Sequence, residues 1–306
     1  MREVRVATVI IQAGGLTHRQ ILSRALALAE RAGEDAADIL CLPENLGSAG
    51  CDRKSGTRVR GEPVPGPTTG ALARVARRYR MYVICPLLER TPTGCYNTAV
   101  LIDRHGSVAG RYRKFVPTIG ELEKGISPGT EIQALRTDFG SIGIAICFDL
   151  NFRDVEDAWR RQQPDIIFWP SAFEGGPLLR QWARHCNAYV VAANWGEVAA
   201  ICDKTGRVLA QATWQCPVVT VALNLERRVY HYDTNHAKIA AIKKKYGPAV
   251  SAEYLVPWGR IALTAHRPGL TIRQLEQKFR LEDMDKYLER SRARRDALAR
   301  AGGPGR

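Results

Sequence analysis

The sequence predicts an α/β fold in which two sheets stack face to face and helices cover the outside. Two pairs of segments repeat across the first two-thirds of the chain: residues 38–43 match residues 165–170, and residues 101–109 match residues 201–210. Each half therefore supplies an apolar strand that ends in proline, a helix, and a hairpin that turns at an aspartate and a glycine. Two such halves satisfy the pattern when their sheets bury each other's inner faces.

Apolar residues at helical spacing predict four helices around these strands. The helices cover residues 18–31, 68–79, 152–163 and 178–189. The polar, turn-rich stretch 47–67 is expected to form a long loop, and such loops often wall a binding site.

The C-terminal region lies outside the internal repeat. Thr271 opens the pattern of a capping box, and Leu275, Phe279 and Leu288 follow at the spacing of one apolar helix face. We expect residues 226–306 to form an extension that packs on the domain or on a neighbouring subunit and has no core of its own.

The composition is that of an ordinary globular protein. The chain has 306 residues, of which 45% are hydrophobic and 25% are charged. No stretch approaches the roughly 18 consecutive apolar residues of a membrane span. The N-terminus alternates like a strand and lacks the apolar core of a signal peptide, so the expected location is the cytoplasm.

The chain contains eight cysteines, and no two of them form a Cys-x-x-Cys pair. Cys41, Cys85 and Cys202 lie inside apolar strands, which favours reduced, mostly structural thiols. His185 and Cys186 are adjacent but lack a second pair of ligands. We therefore expect no zinc site.

The net charge of +14 supports an alternative, a non-catalytic protein that binds nucleic acid. Six arginines between Arg290 and Arg306 lie in a tail rich in glycine and alanine. No nucleic-acid-binding motif accompanies them, and aromatic residues do not alternate with the basic ones. A frayed, solvated tail is the favoured interpretation. The alternative predicts salt-dependent DNA or RNA binding that is lost on deleting residues 290–306.

Three residues with chemically useful side chains follow predicted strands or hairpins. Cys147 directly follows the apolar strand 141–146 and precedes a helix. Glu44 comes just after the strand 37–42 and its closing proline, and Lys114 ends a hairpin. Ligands of α/β sheets bind at the carboxyl ends of the strands, so these side chains are candidates for one site. Taken singly, each has a structural interpretation, as a buried thiol, a surface carboxylate and a solvated base.

Together these segments resemble the nitrilase superfamily of carbon–nitrogen hydrolases. The resemblance covers roughly residues 4–225 in the family's order. The matching motifs are Leu42-Pro43-Glu44, Gly110-Arg111-Tyr112-Arg113-Lys114, Gly143-Ile144-Ala145-Ile146-Cys147-Phe148-Asp149, Trp169-Pro170-Ser171-Ala172 and Asn187-Ala188-Tyr189-Val190-Val191-Ala192-Ala193-Asn194. The resemblance implies a four-layer α-β-β-α sandwich of two stacked mixed sheets. Residues 1–270 would then form the carbon–nitrogen hydrolase domain, and residues 271–306 a C-terminal helix and basic tail.

The resemblance also implies a cysteine-dependent hydrolase that needs no metal or other cofactor. Glu44 would take the proton of Cys147 and return it to the departing amine. The Lys114 ammonium and the backbone N–H of Phe148 would hold the tetrahedral oxyanion. A thioester would remain on Cys147 until water releases the acid. Capture of the thioester by an amine would make the protein an acyltransferase, an alternative that the sequence leaves open.

In the family that the chain resembles, the site also has a four-residue version, in which a second glutamate holds the lysine and the substrate. The loop after Lys114 offers Glu121 and Glu123. Nitrilase-like sequences with a Lys-x-x-Pro-Thr stretch carry this glutamate at the offset of Glu121, which is therefore preferred. In the alternative interpretation both glutamates are exposed loop charges.

Phe148 and Asp149, which follow the cysteine, resemble the amidase and carbamoylase branches, whereas nitrilases usually have Gly or Trp and then Glu-Asn. Residues 152–154 depart from the Phe-Pro-Glu that is frequent in those branches. The expected substrate is a small linear amide or an N-carbamoyl compound. The candidate substrate-binding residues are Phe148, Asn151, Trp169, Phe173 and Trp195.

The C-terminal region carries apolar residues beyond those that two sheets need, namely Tyr254, Leu255, Val256, Trp258, Ile261 and Leu263. Such residues must bury their surface, and a symmetric neighbour is the commonest partner. Members of the family usually form dimers or larger assemblies with C-terminal segments that reach across. We expect at least a homodimer with residues 226–290 near its interface.

Overall fold

A computed structural model describes residues 2–12, 14–46 and 61–301 of the chain. Most of the expected loop 47–67 lies outside the described residues. The chain divides into two compact units: Glu3–Leu223 forms one, and Met1–Arg2 with Asn224–Arg306 forms the other. The division falls close to the end of the predicted motif match at residue 225 and does not coincide with residue 270.

The larger unit contains two six-stranded sheets. The elements of its first half are β1 (Glu3–Val9), α1 (His18–Glu34), β2 (Ile39–Cys41), α2 (Pro67–Tyr79), β3 (Tyr82–Thr91), β4 (Gly94–Ile102), β5 (Val108–Arg113) and α3 (Ile119–Glu123). Those of its second half are β6 (Leu135–Arg136), β7 (Ser141–Ile144), α4 (Arg153–Gln162), β8 (Ile166–Ser171), α5 (Pro177–Cys186), β9 (Tyr189–Asn194), β10 (Val198–Cys202), β11 (Val208–Thr213) and β12 (Val218–Asn224). The strand orders are β12-β1-β2-β3-β4-β5 and β11-β10-β9-β8-β7-β6.

The repeat seen in the sequence is a repeat of structure. β1, β2 and β3 are parallel, and β4 and β5 continue the sheet in antiparallel fashion. β7, β8 and β9 are likewise parallel, with β10 and β11 antiparallel after them. The helices α1 and α2 connect the first set of parallel strands, and α4 and α5 connect the second. The predicted α/β class and mixed sheets are confirmed.

The two sheets pack against each other, and the helix pairs α1–α2 and α4–α5 form the outer layers of an α-β-β-α sandwich. The inner contacts join β1 and β2 to β8, β9 and β10. Thr8 donates its hydroxyl to the carbonyl of Ala192 across the interface. The first sheet and its helices bury a continuous apolar core that includes Ile21, Leu40 and Leu72.

All four predicted helices are present, with ends within a few residues of the prediction. α1 begins with the capping box of Thr17 and Gln20. α5 ends earlier than predicted, at Cys186, because Asn187 adopts a left-handed conformation with φ of 50° and β9 begins at Tyr189.

The C-terminal unit has a core of its own, so the expectation that it has none is wrong. Its elements are β13 (Arg227–His231), α6 (Tyr232–Tyr246), β14 (Val250–Leu255), β15 (Arg260–Ala265), α7 (Ile272–Phe279) and α8 (Met284–Ala301). The strands form an antiparallel sheet in the order β13-β15-β14. Tyr230, Ile239, Ile261, Leu263 and Leu275 are buried together between this sheet and its helices.

Two further expectations for this unit need correction. The capping box at Thr271 opens α7 as predicted, but that helix ends at Phe279 and Arg280 turns left-handed, so Leu288 belongs to a separate helix. Residues 290–301 continue α8 and are not frayed, although no side chain of α8 is buried. Within the parts of the chain that the structure describes, no helix is long and apolar enough to cross a membrane.

Candidate active site

The sheets bring the predicted glutamate, lysine and cysteine to one place. Glu44 lies shortly after β2, Lys114 directly after β5, and Cys147 shortly after β7. All three are buried, with 5%, 1% and 8% of their surface exposed. A lysine and a glutamate are buried at such levels almost only when they are paired.

The partners of Lys114 are two carboxylates. Its Nζ lies 3.0 Å from Glu44 Oε1 and 2.8 Å from Glu121 Oε2. The structure thus places Glu121 beside the lysine and leaves Glu123 exposed. One ammonium between two carboxylates neutralises only one of them, so the cluster keeps one negative charge in excess.

The short helix α3 fixes Glu121 through its first turn. Thr118 Oγ1 accepts the N–H of Glu121 at 3.2 Å, and the Thr118 N–H donates to Glu121 Oε2 at 2.8 Å. This reciprocal capping box holds the carboxylate in one orientation while Lys114 binds the same oxygen.

Asn97 belongs to the cluster and was not among the predicted site residues. Its amide Nδ2 donates to Glu44 Oε1 at 2.7 Å and to Glu121 Oε1 at 2.8 Å. The signal was available in the hairpin of β4 and β5: the backbone N–H of Lys114 donates to the Asn97 carbonyl at 2.7 Å, so the two residues are cross-strand neighbours. A polar residue opposite a candidate catalytic lysine is itself a candidate.

Cys147 occupies a sharp turn after β7, where it is the first residue of the short 3₁₀ helix Cys147–Asn151. Its φ of 49° lies in the left-handed region, which is uncommon for a residue with a side chain and is typical of functional sites. The Glu44 carboxylate and the backbone N–H of Ala172 lie close enough to the Cys147 sulfur to shift the pKa of its thiol. The turn therefore aims the sulfur at the carboxylate.

Asp149 ties this turn to the strand that carries Lys114. It is fully buried, and its carboxylate accepts the Ile146 N–H at 2.9 Å, the Val116 N–H at 2.8 Å and the Tyr112 hydroxyl at 2.8 Å. Burial raises the pKa of Asp149 to about 6, although the hydrogen bonds oppose that shift. One carboxylate thus joins residues on both sides of Lys114 to the residue before Cys147.

Burial and the neighbouring charges shift the pKa values of the site residues. Burial raises the pKa of the thiol to about 12 and the Glu44 charge contributes, while Lys114 and the Ala172 N–H oppose the shift. Burial alone would lower the pKa of Lys114, but Glu44, Cys147 and Glu121 raise it above its usual value. Burial would likewise raise the pKa of Glu121, yet Lys114 holds it below its usual value. A thiol in this setting needs a proton acceptor, and Glu44 is in contact with it.

Two of the five candidate substrate-binding residues support the catalytic backbone. Trp169 is fully buried and donates its indole N–H to the Cys147 carbonyl at 3.0 Å. It therefore braces the turn, and its contact with a substrate stays a prediction. Trp195 is partly buried and donates its indole N–H to the Glu44 carbonyl at 2.6 Å.

The other three lie near the Cys147 turn. Phe148 is partly buried and packs edge-to-face on Phe152, with ring centroids 5.2 Å apart. Asn151 is exposed and donates its amide to the Phe148 carbonyl at 3.1 Å. Phe173 is partly buried against the Trp169 ring at 5.0 Å. Contact of these residues with a substrate stays a prediction.

Among the described residues, no group of three or more His, Cys, Asp or Glu side chains is arranged to hold a metal ion. The buried cluster instead combines a thiol, an ammonium and two carboxylates on a nitrilase-like sandwich. This combination suits acyl transfer through a covalent thioester.

The carbon–nitrogen hydrolase family model matches residues 5–229, and the chain belongs to that family. It is 27% identical over 258 residues to the omega-amidase NIT2 of Bos taurus, covering 74% of this chain and 91% of that protein. It is 29% identical over 188 residues to the beta-ureidopropionase of Arabidopsis thaliana, covering 56% of this chain and 46% of that protein.

The fold also matches a solved amidase from Nesterenkonia sp. AN1. The TM-score is 0.62 at 21% identity, over 79% of this chain and 96% of the other. In that structure, the acetamide moiety of fluoroacetamide is covalently added at the active-site cysteine. The match shows a common fold, and the nitrilase resemblance of the sequence is confirmed.

Proposed function

We propose that this chain hydrolyses the carbon–nitrogen bond of a small linear amide or N-carbamoyl compound through a thioester on Cys147. The observation that carries the proposal is the burial of Cys147 beside Glu44, whose carboxylate accepts hydrogen bonds from Lys114 and Asn97. The similarity to an omega-amidase and a beta-ureidopropionase supports both substrate classes.

The first half-reaction forms the thioester. Glu44 accepts the thiol proton as the Cys147 sulfur attacks the carbonyl carbon. The tetrahedral oxyanion is stabilised by the ammonium of Lys114 and the backbone N–H of Phe148. The proton held by Glu44 then passes to the nitrogen, the carbon–nitrogen bond breaks, and ammonia or an amine leaves.

The second half-reaction releases the acid. A water molecule gives its proton to Glu44 and attacks the thioester carbonyl, and the Cys147 sulfur leaves and takes that proton back. Glu121 keeps Lys114 charged and in place throughout, because it binds the same ammonium from the other side. Each residue thus ends the cycle in its starting protonation state.

A panel of linear amides, N-carbamoyl compounds and nitriles, read by ammonia release, tests the proposal. We expect turnover of at least one amide or carbamoyl compound by the wild-type protein and none by a Cys147→Ala variant. Equal ammonia release from both proteins on every compound would contradict the proposal. Turnover of nitriles alone would place the substrate in a different class.

We also propose that the protein forms at least a homodimer, with residues 226–290 near the interface. Ile261 and Leu263 do not support it, because both are buried in the core of the C-terminal unit. Three other residues support the homodimer, because they are apolar and exposed around the turn between β14 and β15. These residues are Tyr254, Val256 and Trp258, with exposed fractions of 41%, 72% and 46%. Light scattering should give about twice the chain mass of 33.9 kDa or more. A monomer at micromolar concentration would contradict this proposal.

A further inference from the structure

Asn97 is the group that contacts both carboxylates of the site without carrying charge. It is 1% exposed and lies on β4, with Leu88 of β3 on one side and Lys114 on the other. The ionisable groups around it are Glu44, Glu121 and Lys114, with Cys147 beside Glu44.

The two carboxylate oxygens of Glu44 differ in their hydrogen bonds. Oε1 accepts both the Asn97 amide at 2.7 Å and the Lys114 ammonium at 3.0 Å. Two donors on one oxygen fix the rotation of the carboxylate, and this leaves Oε2 as the oxygen with free lone pairs for the thiol proton. The orientation of the base toward Cys147 therefore depends on what holds Oε1.

The side chain of Asn97 includes a buried polar atom whose burial is unfavourable, and the position of Asn97 in the sheet does not explain it. Its Oδ1 atom is buried and has no hydrogen-bond partner among the described residues. An unsatisfied buried acceptor is costly to a fold, so packing in a core strand does not by itself account for an asparagine here. The donor side of the amide is the part that finds partners.

We propose that Asn97 is a positioning residue, whose amide donates to both glutamates and so aims the free oxygen of Glu44 at the Cys147 thiol. The inference rests on the proposed function for its chemistry. It adds that the site requires an uncharged donor between its two carboxylates. Asn97 contacts the general base and not the reacting sulfur.

Two substitutions separate this role from a packing role. Asn97→Leu keeps the branched shape of the side chain and removes the donor. It should lower kcat by about 100-fold with little change in KM, because a positioned general base contributes on the order of 10²–10⁴. Asn97→Asp replaces the donor by a third carboxylate and should lower kcat further at ~pH 8, since like charges this close oppose each other.

The diagnostic result is the pH dependence of the aspartate variant. When three carboxylates lie in contact, their mutual repulsion raises the pKa of the one that binds a proton. The carboxyl group introduced by Asn97→Asp can, once it is protonated, again donate one hydrogen bond. The ratio of the Asn97→Asp rate to the wild-type rate should therefore rise at least about tenfold between ~pH 8 and ~pH 5.5. The ratio for Asn97→Leu should stay constant over the same range.

Asn194→Asp is the matched control. Asn194 is also fully buried and on a strand, but its amide donates to the backbone carbonyl of Val198. Its aspartate variant should show no rise in relative kcat at low pH, although it can lower the thermal stability.

A constant Asn97→Asp ratio would overturn the proposal, and so would a wild-type kcat in Asn97→Leu. If no substrate is found, the rate at which iodoacetamide labels Cys147 replaces kcat for Asn97→Asp, and its ratio to wild type should rise in the same way. Wild-type protein that labels at Cys147 but hydrolyses no compound would contradict the proposed function while leaving this test decisive.

Discussion

Replacing Cys147 by alanine is expected to abolish hydrolysis while leaving the fold intact. The substitution removes the atom to which the acyl group bonds, and loss of a covalent nucleophile lowers kcat by at least about 10⁴-fold. The side chain is small, and the turn that holds it is braced through the backbone by Trp169, which the substitution leaves in place. Activity on the substrate panel and circular dichroism together check both parts of the prediction.

The matched variants are Cys147→Ser and Cys216→Ala. A serine hydroxyl is a far weaker nucleophile at this position, so very little activity should remain. Cys216 is exposed and lies on a different part of the unit, and its alanine variant should have wild-type kcat. Comparable loss in Cys216→Ala, or an active Cys147→Ala, would show that the wrong thiol has been assigned.

Replacing Glu44 by glutamine is expected to change two observables in opposite directions. Turnover should fall by about 10²–10⁴-fold because the general base is lost. Labelling of Cys147 by iodoacetamide at neutral pH should become faster, since the Glu44 charge helps to hold the thiol pKa near 12. Each unit by which that pKa falls raises the thiolate fraction about tenfold.

The sign of the second effect distinguishes the base from a structural residue. Glu44→Gln removes a negative charge beside the sulfur and leaves the Lys114 ammonium, so the labelling curve must move to lower pH. Glu123→Gln is the control, because Glu123 is exposed and should alter neither measurement. Slower labelling in Glu44→Gln, with intact structure, would mean that the carboxylate does not act on the thiol as assigned.

The sequence predicted the site largely because its main residues follow strands. Glu44 and Cys147 each follow an apolar strand, and Lys114 follows the antiparallel hairpin of β4 and β5. Ligands of α/β sheets bind beyond the carboxyl ends of the strands, which is where these three residues lie. Glu121 followed from its offset to Lys114. The internal repeat, which appears as two sheets of the same topology, supplied the layers of the sandwich.

What the sequence did not predict depends on contacts made across the fold. Asn97 looked like one polar residue in a strand, and its contacts are with two glutamates that are 53 and 24 residues away. Trp169 looked like a pocket wall because aromatic residues at strand ends often are, yet its indole meets a backbone carbonyl.

The C-terminal unit illustrates a different limit. Ile261 and Leu263 were assigned to an interface because the repeat needs no further core, whereas β15 packs them against α6 and α7. Hydrophobic patterning shows that a side chain will be buried, but not what will cover it.

The most direct test of the account is to trap the acyl group on Cys147 during turnover. Wild-type protein is mixed with the best substrate of the panel, quenched with acid at early times and digested, and the peptide that contains Cys147 is weighed by mass spectrometry. A parallel reaction contains hydroxylamine, which converts a thioester to a hydroxamic acid. We predict an acyl adduct on that peptide or a hydroxamic acid product, and neither in Cys147→Ala. Full-rate product formation with no adduct at any time and no hydroxamic acid would contradict the account.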